Sequence, residues 1–284
     1  MYTIGLMLTL VEARSILTRC TGYLRPVCTH SLNPYIGCSL GKSLCGVACY
    51  VQHNRFLTRG RPWGSFLEGK TNAAQLYLAE ISRERRRGPV SIFMSSSTDP
   101  FPPQEKSSGI TRSILEAMRA APPDLLIVQT HSALVADYAG LLGELPARVH
   151  ISIESDREFL PGLPKPASSV ARRIEAGRVL RQAGIETVAC LSPLIPLHQP
   201  EAFFSRLSHA FTAVIVDHFV GGDGTPGGTR TRATAFPAAM EQVEPGSSRL
   251  EYREEVVNWA RRYFSGRVGV GSEGFAGRWL KEYE

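Results

Sequence analysis

No apolar run in this 284-residue chain approaches the roughly eighteen residues that a membrane-crossing helix needs. The apolar stretch in its opening "MYTIGLMLTLVEARS" has no basic residue before it, as a secretory leader would. The reading is a cytoplasmic protein with no membrane partner. Charge of one sign is also scarce. Thirty-two Lys and Arg stand against twenty-six Asp and Glu, for a formal charge of +6. That mild excess permits an anionic partner and does not demand one. No Gly-Lys-Ser/Thr sequence closes a glycine-rich loop, so a Walker-type nucleotide site is excluded. Nor does any stretch read as an interdomain linker. At 43% hydrophobic residues, one domain with a sizeable core is expected.

What the chain does have is clustered cysteine. Of its six, Cys38, Cys45 and Cys49 lie in "NPYIGCSLGKSLCGVACYVQHN", with His53 four residues on. In a reducing compartment such clusters are metal ligands or reactive thiols more often than disulfides. Two metals fit the donor types. Zinc would close a Cys3His tetrahedron with His53, giving a non-catalytic metal protein that binds nucleic acid. An iron–sulfur cluster on three cysteines would keep one iron open. Cys190 falls mid-strand among apolar neighbours and reads as a small buried hydrophobe. Cys20 and Cys28 take no role in this reading.

From Pro89 onward, apolar runs alternate with amphipathic stretches. The runs 90–96, 124–130, 148–154, 186–192 and 213–219 read as strands, and a further strand is expected near Ser31 to Ile36, before the cysteine loop. Between them Ile110, Ile114, Leu115 and Met118 share a helical face, as do Tyr138, Leu141, Leu142 and Leu145, and Phe203, Phe204, Leu207 and Phe211. Regular alternation predicts an α/β fold of parallel strands joined by right-handed crossovers, a partial (β/α)6 barrel, with a doubly wound sheet as the competing architecture. Residues 1–30 read as an N-terminal extension, 31–235 as the barrel, and 236–284 as a helical segment packed outside it. In either architecture the site lies at the C-terminal ends of the strands. The run 148–154 alternates where a strand covered on both faces would be continuously apolar, which turns His150, Ser152 and Glu154 inward.

Several stretches, in order, carry a resemblance. "SLNPYIGC", "LEGKTNAAQLYLAE", "SSSTDPFPPQEKSSGITRSILEAM", "VHISIES" and "EAGRVLRQAGIETVACLSPLIP" resemble the landmarks of radical S-adenosylmethionine (SAM) enzymes, in the branch similar to spore photoproduct lyase, over roughly residues 15 to 200. The resemblance implies that Cys38, Cys45 and Cys49 ligate a 4Fe–4S cluster whose open iron is chelated by SAM. It also implies that reductive cleavage of SAM gives methionine and a 5′-deoxyadenosyl radical that abstracts a substrate hydrogen. An external one-electron reductant such as flavodoxin or ferredoxin would supply the electron. Ser97, Thr98, Asp99 and Ser152 match SAM-contacting positions. His131 stands beside Thr130 where relatives often carry Thr-Lys. Together with Glu154, and with Tyr50 next to the last cysteine, they complete the expected cofactor-binding set.

The match has departures. The family's Cys-x3-Cys-x2-Cys is here Cys-x6-Cys-x3-Cys, and Ala48 replaces the aromatic before the last cysteine. Ser96 takes the place of the hydrogen-donating cysteine of spore photoproduct lyases, and a hydroxyl is too strong an O–H bond for that role. The stretch "VDHFVGGDGTPGGTRTR" places Asp217, His218 and Arg230 around five glycines. It reads as a loop closing over substrate, with these three as the catalytic candidates and Arg230 or Arg232 meeting an anion. The expected substrate is nucleic acid or nucleotide-like, or a small anionic molecule. "RERRR" at 83–87 reads as a solvated helix end.

Overall fold

The structure, a computed structural model, describes residues 6–281. Among these residues eleven strands form two sheets: β1 (Leu8–Val11), β2 (Leu17–Arg19), β3 (His30–Leu32), β4 (Tyr35–Cys38), β5 (Phe66–Lys70), β6 (Ser91–Met94), β7 (Leu125–Thr130), β8 (Ala147–Ser152), β9 (Glu186–Leu191), β10 (Ala213–Val216) and β11 (Val268–Val270). The large sheet has the order β11-β10-β9-β8-β7-β6-β3-β2. Every pairing in it is parallel except β2 with β3. Helices Ile110–Ala120, Val170–Gln182 and Pro200–Ala210 lie between successive strands, which is the partial (β/α) barrel expected from the alternation.

The period of two along each strand divides the core. Ile92, Met94, Leu126, Val128, Val149, Ile151, Val214 and Val216 pack with the helices. Phe93, Ile127, Val188, Cys190, Ala213 and Ile215 form a separate inner cluster with Val27, Cys28 and Phe275. His150 shares the inner face, edge-on to Phe93 and tilted on Phe275. It is fully buried, neither ring nitrogen has a hydrogen-bond partner, and burial pushes its pKa down to about 3. A neutral imidazole is the form this wall accepts.

The expected strand at Ser31 to Ile36 is two strands. Pro34 has no N–H for a ladder, and the chain leaves the large sheet there to enter the small one, β1-β5-β4. Asn33 and Lys70 hold the break. Lys70 Nζ donates to the Asn33 carbonyl at 2.7 Å, and Asn72 clamps Ala13 through its N–H and carbonyl, both at 2.9 Å. Buried Glu105 anchors β4 from the other side. It accepts from the Tyr35 and Tyr138 hydroxyls and from the Thr111 and Arg112 amides at the start of helix Ile110–Ala120.

The terminal segments set apart in the sequence are woven into the sheets. β1 pairs with β5, β2 with β3, and β11 extends the large sheet beyond β10. Helix Glu251–Arg261 does pack outside, as its apolar spacing indicates. A three-residue strand such as Val-Gly-Val has no period to detect, so β11 escaped the sequence reading. Among the described residues no helix is long and apolar enough to cross a membrane.

Candidate functional site

A cavity of about 260 Å³ opens at the C-terminal ends of the parallel strands. Its wall includes Cys38, Cys45 and Cys49, Tyr50, Ser97 to Asp99, His131, Ser152, Glu154, Asp217 and His218. Residues from five separate chain segments, predicted from the sequence, are thus brought together. Arg230 is not on the wall, and neither is any other Lys or Arg among the described residues.

The long cysteine spacing is accommodated by glycines that let the loop cross itself. A Cβ on Gly46 would lie 2.1 Å from the Leu40 carbonyl oxygen, and one on Gly41 would lie 2.3 Å from the Gly64 Cα. Such approaches are closed to any other residue. Ser43 caps the short helix Leu44–Ala48 by accepting from the Gly46 amide at 3.5 Å, and it donates to the Leu40 carbonyl at 2.7 Å; the Leu44 amide bonds the Lys165 carbonyl at 3.1 Å. Leu44 then joins Leu160, Leu163, Ile195, Phe219, Phe236 and Met240 in an apolar cluster. Cys45 lies within the helix and Cys49 just after it.

Electrostatics favour a cationic group among the three sulfurs. Burial, reinforced by the neighbouring Cys45, pushes the Cys38 thiol up to about 12. Burial and then Cys45 and Cys38 hold the Cys49 thiol well above its ordinary value. Cysteine sulfurs are the donors that an iron–sulfur cluster takes, one thiolate to an iron. Among the described residues no group of three or more His, Cys, Asp or Glu is drawn together closely enough to hold a metal ion. His53, the fourth zinc ligand considered above, is exposed and off the cavity wall.

The strand ends beside the cysteines are tied into one network. Asn33 accepts from the Ser97 amide at 3.0 Å and donates to the Ser96 hydroxyl at 3.0 Å. Asp99 accepts from the Thr130 hydroxyl at 2.8 Å, the His131 amide at 2.7 Å and the Phe101 amide at 2.9 Å. It lines the cavity, yet its oxygens are spent joining the β6 and β7 ends. His131 Nδ1 is 2.8 Å from Glu154, whose other oxygen lies 2.6 Å from the Arg173 guanidinium. Burial opposes the His131 cation, but Cys45 and Glu154 outweigh it, so its pKa stands well above the ordinary histidine range. Glu154 is held low by Arg173 and His131 against the cost of burial. Gln129, which the sequence did not single out, donates to the Ser152 hydroxyl at 2.6 Å and leaves its own Oε1 without a partner. Nothing short of the fold marks it, because β7 reads as an ordinary apolar strand.

On the opposite wall Asp217 ends β10. Its Oδ2 accepts from the Tyr23 hydroxyl at 3.1 Å and from Ser192 at 3.2 Å; among the described residues no bond is made to Oδ1. Gly222 allows the loop backbone to pass, since a Cβ there would lie 2.7 Å from Oδ2. Tyr23 comes from the segment read as an extension, and no sequence signal points to it. Burial raises Asp217 from an ordinary 3.8 to about 6, with Tyr23 and Ser192 partly opposing. A carboxyl raised on folding adds stability that is full below about pH 4 and is lost as pH rises through about 6. Asp217→Asn is expected to remove this loss, so that urea midpoints followed from pH 4 to pH 7 decline less than in the native chain. A parallel decline in both proteins would contradict the assignment.

Of the other two catalytic candidates, His218 lines the cavity and Arg230 does not, and both are hydrogen-bonded within the chain. His218 Nδ1 accepts from the Val220 amide at 3.1 Å and Nε2 lies 3.1 Å from the Ser247 carbonyl, which fixes a neutral ring with both nitrogens engaged. Arg230 donates to the Asp223 carbonyl at 3.3 Å, and Arg232 to the Gly227 carbonyl at 3.0 Å. These arginines build the loop they sit in.

No protein-family model matches the chain. An uncharacterized protein of Methanocaldococcus jannaschii is 26% identical over 243 residues, covering 84% of this chain and 88% of that one. Among solved structures, a spore photoproduct lyase variant with dinucleoside spore photoproduct superposes with a TM-score of 0.61 at 16% identity, over 93% of this chain and 81% of that one. Another, with AdoMet and the same dinucleoside bound, gives 0.58 at 16% identity over the same shares. The chain therefore has the fold of spore photoproduct lyase.

Proposed function

We propose that this protein is a radical SAM enzyme, in which Cys38, Cys45 and Cys49 hold a 4Fe–4S cluster. The observation that carries the reading is one cavity, at the strand ends of this fold, that gathers all three thiols with the SAM-matching residues. When bound, the cluster supplies the electron that cleaves SAM to methionine and a 5′-deoxyadenosyl radical. The chain's own groups do the rest. Ser152, with Gln129 beside it, and the Ser97–Thr98 turn offer hydrogen bonds to the cofactor. His131, paired with Glu154, presents a cation beside the cysteines to meet a carboxylate. Asp99 and Asn33 position these strand ends. The apolar wall of Leu44, Phe93, Ile195, Phe219 and Phe275 keeps water from a radical. A one-electron reductant of the flavodoxin or ferredoxin type completes the reaction.

The substrate reading shifts from the sequence's lean. With no Lys or Arg on the wall and Asp217 Oδ1 free, the inserted part of the substrate is uncharged or cationic and donates a hydrogen bond to Asp217. A nucleotide-like substrate would leave its phosphates outside the cavity. With Ser96 bonded to Asn33, no thiol stands at that position to quench a product radical, which argues against spore photoproduct repair by the cysteine route. Adding SAM to the anaerobically reconstituted, reduced protein is expected to change the electron paramagnetic resonance spectrum of the cluster. A spectrum indifferent to SAM would count against the cofactor assignment.

A further inference from the structure

Cys20 and Cys28 lie outside the cluster loop, at the neck of a hairpin that the site depends on. Antiparallel pairing runs from Leu17 with Leu32 to Arg19 with His30, and the Cys20 amide extends it to the Thr29 carbonyl at 2.9 Å. This register brings the two sulfurs to 3.3 Å. Between them the chain makes a single 3-10 turn, Gly22–Leu24, begun by Gly22 at φ +55° and closed by bonds from Val27 and Cys28 to the Leu24 carbonyl. At its apex Tyr23 enters the cavity, 6.1 Å from the Phe275 ring, and bonds Asp217.

The two thiols are not equivalent. Cys20 is partly exposed and Cys28 is buried in the inner core. The hydrogen bond from Cys28 lowers the Cys20 thiol, while the same contact and burial raise Cys28. An accessible thiol stabilised as thiolate, backed by a buried one, is the arrangement of a thiol that attacks and a thiol that resolves.

We propose that Cys20 and Cys28 are a redox-active dithiol that closes to a disulfide across the neck of this hairpin, so that its oxidation state sets how firmly Tyr23 is held against Asp217. The oxidant is a low-molecular-weight disulfide. The Cys20 thiolate attacks one of its sulfurs and expels a thiolate. Cys28, giving up its proton, then attacks the Cys20 sulfur and expels the second. Two protein thiols become one disulfide, and one small disulfide becomes two thiols. The inference rests on the hairpin and stands whether or not the chain cleaves SAM.

The test equilibrates the full-length protein, anaerobically, in glutathione buffers of graded oxidised-to-reduced ratio. Thiols are quenched by alkylation, each cysteine is mapped by mass spectrometry, and hydrogen–deuterium exchange is read over residues 21–27. Expected are a Cys20–Cys28 disulfide that forms with a two-electron dependence and slower exchange in the oxidised form. Cys28→Ser should trap one glutathione on Cys20, whereas Cys20→Ser leaves the buried Cys28 unmodified. Free Cys20 and Cys28 in the most oxidising buffer would overturn the dithiol. Exchange that is the same in both forms would overturn its hold on Tyr23. Both of those readouts use the native sequence and do not depend on how the variants fold.

Discussion

Cys45→Ala is expected to lower bound iron sharply and to take 5′-deoxyadenosine formation from SAM below detection, with the fold intact by circular dichroism. Cys45 is the middle one of the three proposed ligands, near both other sulfurs and His131, so its loss would remove one corner of the proposed donor set and the partner of the imidazole. No other described cysteine can replace it, because Cys190 lies in the inner core and Cys20 and Cys28 are committed to each other. His53→Ala supplies the contrast. It should retain iron and activity, because His53 is exposed and off the cavity wall. Loss of metal in the histidine variant, with zinc as the metal lost, would favour the closed tetrahedral site instead.

Arg173→Met is expected to destabilise the chain by about 3–5 kcal/mol, the range for stripping one partner from a buried ion pair. The Arg173 side chain is 2% exposed and the Glu154 side chain 9%. The guanidinium bonds Glu154 and the Ser152 carbonyl, so it braces the end of β8 where two candidate cofactor contacts sit. Its removal leaves Glu154 ionised in the interior with only His131 beside it. Adding Glu154→Gln to the Arg173→Met chain should recover part of the loss, since the stranded charge is then gone. Urea denaturation of the two single variants and the double variant measures this. Strictly additive losses would mean that the pair is not coupled.

The barrel was legible because each strand from β6 to β10 carries an apolar run bounded by turn residues, and helices Ile110–Ala120 and Pro200–Ala210 carry an amphipathic stripe. The inward turn of Ser152 and Glu154 followed from one broken pattern in β8, and both residues line the cavity. His150 obeyed the same alternation but faces Phe93 and Phe275 in the inner core. The small sheet was not legible. It depends on Pro34 expelling the chain from the large sheet and on Lys70 reaching back to Asn33, which are long-range events without a local period. The glycines at 41, 46 and 64 act likewise, since their value appears only when two backbones meet. Tyr23 and Gln129 are ordinary residues until the fold aims them. Conversely, His218 and Arg230 looked chemical in a glycine-rich stretch because residue type says nothing of whether a donor is already engaged.

The most direct test of the central claim is chromatography of SAM incubated with the anaerobically reconstituted, dithionite-reduced protein. The account predicts that 5′-deoxyadenosine and methionine appear together, and that both disappear in the Cys45→Ala chain. Intact SAM, with about four irons bound to the native protein as a 4Fe–4S cluster requires, would contradict it and leave a shared fold without the shared chemistry.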